Sequence, residues 1–149
     1  MEIIASLITA VATIVVGSIV ANIARKHNKH SKKMEYDRMM KDLFKEFNAR
    51  YDKINHSLYK IEKKCKTLIE LEKHPKLEYK LNDYFNLCAE EYFWYKKGRI
   101  DENIWLAWSD GMNDWYKGVE VIRDAWEAEI KKRGCKSYYI KHKNEFFIR

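Results

Sequence analysis

Residues 3–24 read IIASLITAVATIVVGSIVANIA, and residues 25–33 continue as RKHNKHSKK. The first stretch has 22 consecutive positions without a charged side chain, and the second carries five lysines and arginines. At about 1.5 Å per residue, the apolar run makes a helix of roughly 33 Å, enough for the roughly 30 Å hydrocarbon core of a bilayer. A secretory signal peptide has its basic segment before a shorter apolar run. Here only Met1 and Glu2 precede the run, and the cations follow it. The pattern therefore predicts a retained transmembrane helix at residues 1–24 and a basic juxtamembrane linker at 25–33. Flanking cations stay on the cytoplasmic side. That puts the N-terminus outside and residues 34–149 inside the cell. Arg25, Lys26, Lys29, Lys32 and Lys33 then face lipid headgroups, each worth about 1 kcal/mol at an anionic surface.

The charge supports this division. Of the net +7, Glu2 contributes −1, residues 25–33 contribute +5, and residues 34–149 carry 24 basic against 21 acidic groups, or +3. The folded part has no strong basic stripe, so nucleic acid is not the expected partner. Cys65, Cys88 and Cys135 are odd in number and form no C-x-x-C pair. They fit a reducing compartment and read as small buried hydrophobes.

Residues 34–149 read as one helical domain. Met40, Phe47, Ile54, Ile61 and Leu68 fall seven apart, interleaved with Leu43, Tyr51, Leu58 and Cys65. This heptad-like pattern with one stutter predicts a helix from Met34 to Glu72, continuous with the membrane helix and stopped by Pro75. A second helix is predicted from about Pro75 to Lys97, with Leu77, Leu81, Tyr84, Cys88 and Tyr92 inward and Gly98 as its stop. Asp101 is the N-cap of a third, whose apolar face is Ile104, Trp108, Met112 and Trp115. Val119, Ile122, Trp126 and Ile130 mark a fourth, ended by Gly134. The tail from Cys135 to Arg149 is too apolar to be free and is expected to pack, extended, on the bundle. The fold class is all-α: an N-terminal transmembrane helix running into a long helix, plus a small cytoplasmic helical bundle.

Motifs for phosphate loops, serine hydrolases and zinc sites are absent. His27 and His30 have metal-like spacing but sit among five cations, which oppose a bound cation. No metal and no cofactor is expected. Within the apolar run, Ala5, Thr9, Thr13, Gly17 and Ala21 repeat at i+4. With Ser6 and Ala10 they make a small, weakly polar face opposite Ile4, Leu7, Ile8, Val11, Val15 and Ile19. Helices in lipid associate through such faces, so Ser6, Thr9, Thr13, Gly17 and Ala21 are the expected oligomerisation or pore face. Arg50 and His56 form an R-x5-H, a pairing that can stabilise a phosphate transition state and move protons. Six residues apart on one helix, however, they lie about 120° from each other.

Two resemblances follow. Residues 81–102, LNDYFNLCAEEYFWYKKGRIDE, resemble uncharacterised bacterial proteins with one N-terminal membrane helix and a small helical cytoplasmic domain. The anchor together with Arg50 and His56 is similar to the small membrane accessory protein of type VI-B CRISPR systems, with its divergent HEPN-like R-x(4–6)-H. These resemblances imply a single-pass protein of the bacterial inner membrane. The second also implies a pore-forming homo-oligomer in antiphage defence. The expectation is a non-enzymatic assembly acting on the bilayer. The alternatives are a membrane-tethered adaptor recruiting a cytosolic effector protein, or a HEPN-like ribonuclease using Arg50 and His56.

Overall fold

The computed structural model describes residues 1–148, and of Ala5, Ile8 and Thr9 the backbone only. Among the described residues every regular element is helical. Helix α1 spans Glu2–Lys64, α2 Leu68–Glu72, α3 Pro75–Lys96, α4 Glu102–Gly118 and α5 Glu120–Arg133, followed by a 3-10 turn at Cys135–Tyr138. The chain forms two compact units, Met1–Met39 and Met40–Arg149.

The first unit is helix from Glu2 onward, and its large apolar side chains face outward: Ile3, Leu7, Val11, Val15 and Ile19 are all more than half exposed. The transmembrane span expected at residues 1–24 is not matched. Among the described residues no helix is long and apolar enough to cross a membrane. Small and polar positions such as Ser6, Gly17, Ser18 and Asn22 dilute the apolar run, and the helix passes directly into the cations at 25–33. Ala5, Ile8 and Thr9, which belong to the run, lie outside the described side chains.

The second unit holds the core. The heptad stripe turns inward as expected: Phe47, Ile54, Leu58, Ile61 and Cys65 are buried. The long helix ends earlier than its periodicity predicts, at Lys64. The cause is local. Thr67 Oγ1 accepts a hydrogen bond from Glu70 N at 3.3 Å, and the Glu70 carboxylate accepts from Lys66 N at 2.5 Å. This is a variant of the T-x-x-E capping box, which starts a new helix and carries Leu68 onto α2. Pro75 occupies the first turn of α3, where its missing N–H costs nothing. Gly98 and Gly134, at φ of 65° and 78°, supply the left-handed turns after α3 and α5. The Asp101 side chain caps α4 by accepting from Asn103 N at 2.9 Å.

On α4 the expected face is rotated. The buried residues are Trp105, Ser109, Met112 and Tyr116, while Ile104, Trp108 and Trp115 are only half-buried. The helix is apolar on two adjoining stripes. The second stripe meets α1: Trp108 stacks on Phe44 at 5.9 Å, and Trp115 meets Tyr59 edge-on at 4.9 Å.

The tail packs into the bundle. Tyr138, Ile140, Phe146 and Phe147 are buried. Phe147 stacks on Tyr116 at 4.9 Å and meets Trp126 at 5.1 Å. Asn113 fastens the backbone there, donating to Phe146 O at 3.0 Å and accepting from Ile148 N at 2.7 Å. Trp126 Nε1 donates to Lys143 O at 3.1 Å.

If the tail is a core element, Phe147→Ala should cost about 3–5 kcal/mol, while Ile148→Ala, one residue on and exposed, should stay within about 0.5 kcal/mol. Urea unfolding of the full chain followed by tryptophan fluorescence measures both. Equal midpoints for the two variants would remove the tail from the core.

Candidate functional site: the N-terminal helix and the Arg50–Glu90–Glu91 cluster

Helix geometry sorts the first unit into faces. At 100° per residue, Arg25, Lys26, Lys29, Lys32 and Lys33 occupy one arc of about 120°. Leu7, Val11 and Val15 lie in the same arc nearer the N-terminus. Ser6, Thr13 and Gly17 centre roughly 140° away, whereas Ala21 lies only about 20° from Lys32. The small face is therefore turned away from the cations except at its C-terminal end. A Cβ added at Gly17 meets nothing within 4 Å. Ser6 and Ser18 donate to Ile3 O and Ile14 O, at 3.0 and 2.8 Å. Their hydroxyls are satisfied within the helix, not held open for a neighbour. Thr9, also expected on this face, lies outside the described side chains. All five cations of residues 25–33 are exposed, and among the described residues none is in an ion pair.

The structure does not bring Arg50 and His56 together. Arg50 points at α3 and grips Glu90 with both guanidinium arms, Nη1 to Oε2 at 2.6 Å and Nη2 to Oε1 at 2.9 Å. It also reaches Glu46 at 3.7 Å and lies over the Phe47 ring at 5.8 Å. The bond to Glu90 raises the guanidinium above its usual pKa, against the opposing effect of burial. A phosphate would have to displace Glu90 to reach it. His56 is exposed on another side of α1. His27 and His30 are exposed as well, and among the described residues no group of three or more His, Cys, Asp or Glu could hold a metal ion.

Glu90 and Glu91, adjacent on α3, point in different directions. Glu90 goes to Arg50. Glu91 turns inward and is only 6% exposed. Among the described residues nothing hydrogen-bonds to its carboxyl. Burial pushes its pKa up to about 8, with Arg50 opposing and Glu90 adding to the rise. Beside it the Tyr84 hydroxyl is buried without a hydrogen-bond partner. The Tyr51 hydroxyl accepts from Trp115 Nε1 at 3.1 Å. A carboxylate at an inward position of an otherwise apolar stripe was the available signal. It reads as polar decoration until α1 and α4 close over it.

Two outcomes test this cluster. Arg50→Ala should destabilise the fold by about 1–2 kcal/mol, since a half-exposed bidentate pair is lost with its packing. His56→Ala should change it by less than about 0.5 kcal/mol, so equal effects would disprove the assignment. The pH dependence tests Glu91. Its carboxyl titrates near 4.5 ordinarily and at about 8 in the fold. Between those values the folded state keeps a proton that the unfolded state has released, so stability falls as pH rises. The contribution is complete below about 4.5 and gone above about 8, a loss on the order of a few kcal/mol. Glu91→Gln should flatten the melting temperature over this window and exceed wild type at pH 8. Parallel curves for the two proteins would show that Glu91 is not held neutral.

The chain matches no family model, no curated protein and no solved structure, so the roles of these residues rest on their own geometry.

Proposed function

We propose that the protein is a membrane-anchored, self-assembling helical protein whose effect is exerted at the bilayer. The observation that carries this is the row of outward-facing apolar side chains from Ile3 to Ile23, which no other element covers. A contiguous exposed apolar surface marks a membrane or protein contact. The full run of 22 uncharged residues, with Ala5, Ile8 and Thr9 counted, has the length of a span. The in-helix hydrogen bonds of Ser6 and Ser18 lower the cost of placing those hydroxyls in lipid.

The arrangement of faces favours assembly through the small side. If copies meet at Thr13 and Gly17, the cationic arc of each copy points away from the contact, toward headgroups. Contact through the opposite face would bring five positive charges per chain together. The orientation supported by the cations is N-terminus outside and residues 34–149 in the cytoplasm. The antiphage, pore-forming role implied by the resemblance is the specific form of this reading, with leakage as its readout. The Arg50–Glu90 pair supports a structural use of Arg50 over a ribonuclease use.

The full chain expressed in bacteria should stay with the membrane after alkaline carbonate extraction, and release into the supernatant would sink the anchor. Gly17→Leu should shift the detergent-solubilised protein to smaller assemblies, because a bulky side chain there separates helix backbones. Val15→Leu, on the opposite face, should not. Light scattering that finds both variants alike would eliminate the small face as the contact. A reporter fused after Arg149 that works only in the periplasm would reverse the topology.

A further inference from the structure

Between α1, α3 and α4, wholly within Met40–Arg149, lies a partly open cavity of about 160 Å³. Its apolar wall is Leu87, Met112 and the Trp108 ring, and its polar wall is Glu91, Tyr84 and Tyr51. Three independent features make it more than a packing flaw. The Glu91 carboxyl is buried on its wall, and among the described residues nothing hydrogen-bonds to it. The Tyr84 hydroxyl, also buried, has no hydrogen-bond partner, and the adjacent Cys88 thiol is at best a weak one. Buried polar groups left unpaired are costly, and they are rare in native folds unless something pairs with them.

The third feature is Gly111. It lines the cavity in the middle of α4, where glycine is less favourable than alanine. Its backbone is not in the left-handed region, so no turn requires glycine. A Cβ built on it meets nothing within 4 Å. Both Gly111 and Ala107, one turn earlier, are exposed. These two small residues leave an opening on the solvent side of the cavity.

We infer that this cavity is a binding site for a small organic amine, a protonated ammonium carried on a single aromatic ring or an alkyl chain of similar size. Glu91 is the only charged residue in the lining. Neutral in the empty cavity, it releases its proton to solvent when an ammonium enters, and the resulting carboxylate forms with that ammonium a charge-assisted hydrogen bond that a neutral hydrocarbon cannot offer. The lining also includes the aromatic side chains of Tyr51, Tyr84 and Trp108, a kind of surface that attracts a cation. Size sets the rest of the ligand. An apolar cavity of about 150 Å³ accommodates benzene, so this one takes a single ring against Leu87 and Met112. The site is separate from the apolar N-terminal helix and does not depend on the membrane reading.

The experiment is calorimetric titration of the purified full-length protein with benzylamine and with benzyl alcohol, its uncharged counterpart. Benzylamine should bind saturably at one per chain and raise the melting temperature, and benzyl alcohol should bind about tenfold more weakly or worse. Glu91→Gln should weaken benzylamine by about tenfold or more while leaving benzyl alcohol little changed. Gly111→Leu should abolish binding of both while keeping or raising the melting temperature, which separates a blocked mouth from a damaged fold. The inference is overturned if benzylamine shows no saturable binding up to about 10 mM. It also fails if the amine and the alcohol bind alike, or if either variant binds benzylamine as wild type does.

Discussion

The second unit depends on one aromatic nucleus, the packing of Trp126 against Phe85, Phe146, Phe147 and Tyr138, with ring centroids 4.9–5.2 Å apart. Those rings come from α3, α5 and the tail, and Tyr116 adds α4 by stacking on Phe147. No two helices of this unit have a long shared interface, since α4 and α5 are only 17 and 14 residues and α2 is five. Large rings bury enough area to compensate for short elements. Their polar edges are answered locally, as Trp126 Nε1 finds Lys143 O and Tyr138 donates to buried Glu129 at 2.9 Å. The C-terminal tail is thus a structural wedge and not an appendage.

Around that nucleus, polar residues serve two different ends. Asn113, Glu129 and Glu145 tie down irregular backbone or tyrosine hydroxyls. Glu145, for example, accepts from Tyr92 at 2.9 Å and from His142 N at 3.0 Å. Buried Glu129 and half-buried Asn113 and Glu145 each have their partners, which is how polar side chains normally enter a core. Glu91 and Tyr84 are buried without them. The contrast within one domain of about a hundred residues marks the α1–α3–α4 cavity as a place where packing is not self-sufficient, as it is also at Asn55 Oδ1, buried without a partner on α1. Arg50 sits beside it and holds Glu90, the neighbour of Glu91, so the ion pair also fixes the direction in which Glu91 must turn.

The first unit shows the reverse condition, with abundant apolar surface and no core. Its stability as a helix cannot come from burial within this chain.

Sequence by itself determined the all-helical class, because periods of three and four dominate the chain and Pro75, Gly98 and Gly134 fall where helices start or stop. It determined the Asp101 cap, the glycine stops at positions 98 and 134, the inward stripe of α3 and the burial of the tail, each a local rule or a matter of hydrophobic content. It marked the apolar run and its cations but not their surroundings, since the character of residues 3–24 as span or surface lies in what covers them. Tertiary structure decided the rest. The heptads continued to Leu68 in sequence, yet the Thr67–Glu70 cap ended α1 at Lys64. The face of α4 was rotated because two stripes, not one, had partners. Arg50 and His56 shared a motif but not a direction, as a helix of 3.6 residues per turn dictates. Glu91 became the most perturbed carboxyl of the cluster only when α1 and α4 removed its water, a property that no spacing along the chain encodes.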